Sequence, residues 1–324
     1  MGSFVSVVLD HVLAAISLVS PAHAEGARLK LAECNLPHLE AVGLAIAAAQ
    51  HTARLRATKP MLLIVAADHG IADPGVDFGA QHPTTVAVNA ITNGSAAVCH
   101  LARNAATSIV VVNAGIAHVP RDNAALVSIA AGNTAAFTVD QPALSRVDVT
   151  LAIEAGIALA LSLKDAGCDV LGLGTLGLGA AEATAALAGA LLGETIALPP
   201  RDQDLQSFVS LGALLQANAS TPLQLLAHVG GRDTAVLVGV LLACASLNLP
   251  IVLDDNSTIA AAAIAAALAP ASAGSFIAAH PGRGASAALL QSMQRTPVFS
   301  QALGNGEGSA AAMALALVRA AAEL

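Results

Sequence analysis

The sequence predicts an α/β protein, a doubly wound and mostly parallel sheet joined to a smaller helical domain built from the N- and C-terminal segments. Three observations predict it. Short apolar runs bounded by Gly, Asp or Pro alternate with long Ala/Leu stretches, the pattern of βαβ units. Hydrophobic residues make up 56% of the chain and charged residues 11%, which excludes a disordered chain and calls for many elements buried on all sides. There is no Trp or Tyr and there are 6 Phe, so the helices are expected to pack closely through small side chains.

The elements follow in order. Phe4 to Ala24 is apolar and ends in an AHA that resembles a signal-peptide cleavage site. It has no basic leader, and Asp10 and His11 interrupt it, so it reads as a buried amphipathic first helix. MLLIVAA (61 to 67), SIVVVNA (108 to 114), DVLGLG (169 to 174) and PIVLDD (250 to 255) read as fully buried strands. Between them PTTVAVNAITNGSAAVCHLARNA, TLAIEAGIALALSLKDAG, AAEATAALAGALLG and DTAVLVGVLLACASLN read as helices. The apolar run from Ala235 to Leu253 contains Ser246, Asn248 and Pro250 near its end, which suits a helix leading into a strand better than a membrane span. Ile259 to Ala273 is Ala-rich and a strong helix former. Residues 1–55 and 285–324 carry helical patterns and are assigned to the small domain, 56–284 to the large one. No internal repeat is visible.

Ligands of such sheets bind outside the carboxyl ends of the strands. That places the site among ADHGIADPGVDFG, NAGIAHVPRDN, GTLGLGAAE and DDNST. A net charge of −8, with Lys and Arg never clustered beyond pairs, leaves no basic surface for a nucleic-acid backbone. Cys34, Cys99, Cys168 and Cys244 are far apart in apolar runs, with neither zinc-site spacing nor the density of a disulfide scaffold. They read as reduced core thiols of a cytoplasmic protein. Asp68, His69, Asp77, Gln81 and His82 share one loop, but their spacing matches no helix-borne ligand pair and no metal is expected.

AADHGIADPGV (66 to 76) with TNGSAAVCHLAR (92 to 103), AIEAGIALALSLKDAGCDVLGLGTLGLG (152 to 179), LAHVGGRDTAVLVGVLLACASLNLPIVLDD (226 to 255) and LGNGEGSAAAMALALVRAA (303 to 321) stand in an order and spacing with a precedent. Together they resemble the nicotinate-nucleotide:dimethylbenzimidazole phosphoribosyltransferases, which activate the lower-ligand base of cobamides. The resemblance covers most of the chain from about Leu62 onward. It implies transfer of phosphoribose from nicotinate mononucleotide to an aromatic base, giving an α-riboside phosphate and nicotinate. It also implies no metal or other cofactor, and a dimer of like or unlike family subunits.

In that light Glu307, in GNGEGS, is the expected catalytic residue. A base whose nucleophilic atom carries a proton must lose it as the new bond forms, and a carboxylate in a dry pocket can take it. Gly304, Gly306 and Gly308 let the backbone approach a ligand, with Gly306 and Gly308 expected at the substrate and Asn305 beside the base. The competing reading of Glu307 is an ordinary first-turn acid favoured by the helix dipole. GLGTLGLG supplies a second candidate, the phosphate loop of Gly174, Thr175, Leu176, Gly177, Leu178 and Gly179, whose backbone amides can cradle an anion.

The resembled family carries an acid where Thr175 stands, and Asn-Thr-Thr where Ala180, Ala181 and Glu182 stand. Its lysine-bearing stretch has Phe208 near the lysine position, and its segment around His280 gains Arg283, a candidate phosphate ligand or an ordinary surface arginine. The base pocket is assigned to Asp77, Phe78, Gly79 and Gln81. The family's usual Ser and Gln there correspond to Gly79 and Ala87, which implies a different base, phenolic or otherwise. The N-terminal LAECNLPHLEAVG shares little with the family. These departures leave two readings, an active enzyme with an altered acceptor and a weakly active or non-catalytic partner of an active homologue. A dinucleotide-binding oxidoreductase fails, because no acid follows GLGTLGLG at the distance that would take the ribose hydroxyls.

Overall fold

A computed structural model of the chain describes residues 6–18, 25–28, 31, 36–72, 78–121, 123–129, 141–193, 221–303 and 306–324. Among them run α1 (Val7–Ala15), α2 (Pro37–Gln50), β1 (Pro60–Ala67), α3 (Pro83–Thr92), α4 (Ala97–Asn104), β2 (Ser108–Gly115) and β3 (Leu126–Ser128). There follow α5 (Arg146–Asp165), β4 (Val170–Leu176), α6 (Ala180–Leu192), α7 (Pro222–Val229), α8 (Arg232–Ser246), β5 (Ile251–Leu253), α9 (Asn256–Leu268), β6 (Phe276–Ala278), α10 (Ser286–Ser292) and α11 (Ser309–Glu323).

The six strands form one sheet in the order β3-β2-β1-β4-β5-β6, and every pairing is parallel. The order reverses between β1 and β4, and at such a switch point the loops leaving the two strands diverge and open a crevice. Every residue of β1 is buried, as a central strand covered on both faces requires. The four strands read from the sequence are all present. β3 and β6 escape sequence reading, because each is three residues long and, unlike the equally short β5, is not framed by a Pro before it and a pair of acids after it.

Alternation along the strands divides the core. Leu63, Val65, Leu171 and Leu173 point into a cluster with α5, α6, α8 and α9. Leu62, Ile64, Ala66 and Val170 point the other way, onto α2, α4 and α11. The absence of large rings is met by close approach. A Cβ on Gly156 of α5 would lie 2.0 Å from the Val236 carbonyl oxygen of α8, and one on Gly239 of α8 would lie 2.0 Å from that of Ile153. The two helices therefore touch backbone to backbone.

Two helical expectations change. The stretch from Pro83 to Ala105 is two helices, because Gly94 turns left-handed and the amide of Ser95 closes back on the Ala90 carbonyl. The first helix is short and mostly open: of its residues Leu9 is buried, whereas Val7 is 67% exposed.

Candidate active site

The switch point is built around Asp68, directly after β1. Its Oδ1 accepts the Leu178 amide at 2.9 Å and the Thr84 hydroxyl, and its Oδ2 accepts the Ala117 amide at 2.8 Å. One buried carboxylate thus ties the loops after β1, β2 and β4 together. The His69 amide donates to the Leu178 carbonyl at 2.9 Å. Gly177 permits this contact, since a Cβ there would lie 1.6 Å from the Ala67 carbonyl oxygen.

The His69 ring pairs with a carboxylate and not with a backbone amide. Its Nε2 lies 3.2 Å from Asp233 Oδ2 at the start of α8, and both side chains are 2% exposed. Burial opposes a charge on this ring, but the Asp233 carboxylate together with the charges of Asp68 and Glu182 outweighs it, and the pKa is raised above the ordinary histidine value. Gly231 makes the room, because a Cβ there would meet His69 Cε1 at 2.1 Å.

Glu307 sits across the crevice on a turn that leads into α11. Its amide donates to the Thr175 carbonyl at the end of β4, 3.0 Å away. Gly306, Glu307 and Gly308 have φ of 91°, 62° and 83°. Glycine adopts that region freely, whereas a residue with a Cβ is held there at a cost of about 1–3 kcal/mol. Gly174 admits the turn onto the strand: a Cβ on it would lie 2.4 Å from the Gly308 nitrogen and 2.9 Å from the Glu307 carbonyl carbon. Glu307 is half-buried.

The start of α11 holds an anion that belongs to the protein. Asp254, just beyond β5, accepts the Gly308 amide at 3.0 Å through Oδ2 and the Ala311 amide at 2.7 Å through Oδ1. It is 1% exposed. Burial and the neighbouring charge of Asp255 push its pKa up to about 7 against the pull of these amides. Glu307 lies ahead of the cap residue Gly308, and the first turn of α11 contains no acid of its own. The helix-dipole role that the sequence left open for Glu307 is therefore filled from β5.

Asp255 caps α9. Its Oδ1 accepts the Thr258 amide at 3.1 Å, and the Thr258 hydroxyl answers the Asp255 amide at 2.9 Å, a reciprocal capping box. Its Oδ2 accepts the Thr175 hydroxyl at 3.2 Å and lies 3.0 Å from where a Cβ on Gly306 would be. Burial raises its pKa. A carboxylate thus stands beside Thr175 after all, supplied by the neighbouring strand.

The remaining candidates are distributed as follows. Gly179 is left-handed at the start of α6, which has no side-chain cap, and Glu182 lies in its first turn. Phe78 is 37% exposed and packs edge-on against His82 at 5.9 Å between ring centroids; His82 in turn lies 5.1 Å from His118. Gly79 and Gln81 belong to a short 3₁₀ turn between Phe78 and His82. Arg283 is exposed beyond β6, with its amide on Asn256 Oδ1 at 2.8 Å. His280 is structural, its Nδ1 accepting the Gly282 amide at 2.9 Å. Asp77, Asn305, Gly304, Phe208 and Cys34 lie outside the described residues.

Cys99, Cys168 and Cys244 are free and buried, and burial pushes the Cys168 thiol up to about 11. No group of three or more metal-ligating side chains occurs among the described residues, and none of their helices is long and apolar enough to cross a membrane. Asp233, Asp254, Asp255 and His118 are site residues that sequence reasoning did not single out. The signal available for Asp254 and Asp255 was a pair of acids directly after a fully apolar run, whereas Asp233 follows Gly-Gly-Arg and had none.

A family model described as phosphoribosyltransferase matches residues 17–324. A nicotinate-nucleotide–dimethylbenzimidazole phosphoribosyltransferase of Roseiflexus sp. (strain RS-1) is 34% identical over 302 residues, 89% of this chain and 85% of the relative. That of Chloroflexus aggregans is 34% identical over 299 residues, 89% and 84%. Among solved structures, CobT from Thermus thermophilus superposes with a TM-score of 0.79 at 29% identity, covering 94% of this chain and 96% of that one.

Proposed function

We propose, from the premise that this chain belongs to the phosphoribosyltransferase family whose model it matches, that it moves phosphoribose from nicotinate mononucleotide to an aromatic base destined to be a cobamide lower ligand. It is a pentosyltransferase, and the products are an α-riboside phosphate and nicotinate. The observation that carries this reading is the turn at 306–308. A glutamate is held left-handed between two glycines, on a strand end at the sheet's switch point. Strain of that kind persists where surrounding structure enforces it, and it clusters at functional sites.

The chemistry follows from the atoms. A nucleophilic atom of the base attacks the anomeric carbon, and the bond from that carbon to the nicotinate nitrogen breaks, its electron pair leaving with nicotinate. The proton that the base sheds passes to the Glu307 carboxylate and from there to solvent. Backbone dipoles at the start of α6 offer a place for the 5′-phosphate, since no side chain caps that helix; Arg283 is a second contact. Phe78, Gly79 and Gln81, with Asp77 and Asn305, would line the base. Gly79 and Ala87 bring no polar group, which suits a phenolic or other ring in place of dimethylbenzimidazole.

The test is nicotinate release from nicotinate mononucleotide with dimethylbenzimidazole, phenol, p-cresol and adenine, for the wild-type chain and Glu307→Gln. Release with at least one base, reduced by about 100-fold or more in the variant, is the expected result. Release only after addition of a homologous subunit would make the chain a non-catalytic partner and would overturn the reading.

A further inference from the structure

Asp255 has two carboxylate oxygens with different surroundings. Oδ1 is committed to the Thr258 amide and holds α9. Oδ2 meets the Thr175 hydroxyl at 3.2 Å and faces the glycine edge of the 306–308 turn. Capping alone needs one oxygen, and Ser, Asn or Thr would serve as well. The residue is half-buried, and Oδ2 is the oxygen turned toward the 306–308 turn and β4, away from α9.

The sign of the surroundings narrows what that ligand presents there. Asp254 adjoins Asp255 in sequence, and its amide partners Gly308 and Ala311 are already engaged. Glu307 lies on the same turn. A phosphate placed here would face three acids, whereas hydroxyl groups would find acceptors. Of the parts of nicotinate mononucleotide, the ribose carries neutral hydroxyl donors. We infer that Asp255 Oδ2 accepts a hydrogen bond from a ribose hydroxyl of the nucleotide and so orients the sugar toward Glu307. Thr175 holds that carboxylate in place from β4. The inference rests on the function proposed above, deepening it by naming the group that grips the sugar.

The experiment pairs a protein change with a substrate change. Asp255→Asn keeps an N-cap acceptor for α9 and removes the charge, so the fold is expected to survive with its Tm little changed. Nicotinate release is measured for wild type and variant with nicotinate mononucleotide and its 2′-deoxy and 3′-deoxy analogues. A hydrogen bond to a charged group predicts that kcat/KM falls on the order of 10- to 100-fold for Asp255→Asn with the natural nucleotide. It predicts a comparable fall for one deoxy analogue with the wild type, and little further fall when both changes are combined. A purely structural role would lower Tm and leave the discrimination between natural and deoxy nucleotides intact.

Asp255→Ser serves as the second variant, retaining the cap with a smaller side chain. If the wild type releases no nicotinate with any base, calorimetric binding of the same three nucleotides to wild type and Asp255→Asn replaces turnover. Loss of discrimination in the variant then still supports the contact, although the proposed activity has failed. Equal discrimination by both proteins, in turnover or in binding, overturns the inference.

Discussion

Replacing Asp254 with Asn separates the two tasks that its carboxylate performs. The wild-type side chain accepts the Gly308 amide at 3.0 Å and the Ala311 amide at 2.7 Å. Asparagine keeps one oxygen and turns an NH₂ group toward the other amide, so one charge-assisted hydrogen bond is lost, about 1.5–3 kcal/mol. Alanine loses both and leaves two buried amides unpaired, about 3–6 kcal/mol. The pH dependence gives a second handle. The folded-state pKa is raised from 3.8 to about 7, so the folded protein binds this proton more tightly than the unfolded chain does. The stability that this proton contributes is fully present below pH 3.8 and is lost as pH rises through about 7. Asparagine does not titrate, so the deficit of Asp254→Asn should shrink as pH rises across that window. Urea unfolding followed by circular dichroism at pH 5 and pH 8 measures both effects, and nicotinate release measures whether the 306–308 turn has loosened. A deficit under about 0.5 kcal/mol at both pH values would refute the clamp, and one that widens as pH rises would refute the raised pKa.

Two further substitutions probe the same end of the sheet. Asp233→Asn strands the His69 ring in a site where both side chains are 2% exposed, and breaking a buried pair from one side costs about 3–5 kcal/mol. The His69 pKa is raised in the folded state, so the pair's contribution is fully present below the unfolded value near 6.5 and fades as pH rises through the folded one. The Asp233→Asn deficit should be larger at pH 6 than at pH 9 in chemical unfolding, and an equal deficit would mean the ring is neutral throughout. Gly174→Ala would place a Cβ 2.4 Å from the Gly308 nitrogen. Because the obstacle is backbone, the turn must shift, at about 1–3 kcal/mol; thermal unfolding should show the lowered Tm and nicotinate release a lowered kcat, and an unchanged pair of values would refute the contact.

How much of this was legible in the sequence depended on the range over which each feature is encoded. β1 is an eight-residue run that opens on Pro and is followed by Asp, and both its period and its ends are local. β3 and β6 have three residues each and are recognisable as strands through the neighbours they pair with, Val111 to Asn113 and Ile251 to Leu253. The glycines around Glu307 announced a backbone approach, and the fold supplies its partner in Gly174 of β4. Asp233 gave no local sign, because its partner His69 is 164 residues away. Asp254 and Asp255 were visible only as the start of the DDNST loop. An acid after a strand usually caps the next helix, and Asp255 does so; nothing local distinguishes it from Asp254, which turns to a different helix at the far end of the chain.

That exchange of helices bears on why Glu307 is where it is. The dipole at the start of α11 attracts an anion, and a sequence reading naturally gives that place to the nearest acid. Asp254 occupies it instead, with two amide hydrogen bonds and almost no exposure. An acid so engaged is spent on the turn and shut away from solvent, so it is not placed to meet a substrate. Glu307 carries no such duty at the helix start, and its amide, not its carboxylate, ties it to β4. Its left-handed backbone would be served at lower cost by glycine, as Gly306 and Gly308 on either side demonstrate. That a side chain stands where glycine would be more stable supports the role proposed for its carboxylate, and the division of labour with Asp254 leaves that carboxylate free of the helix start.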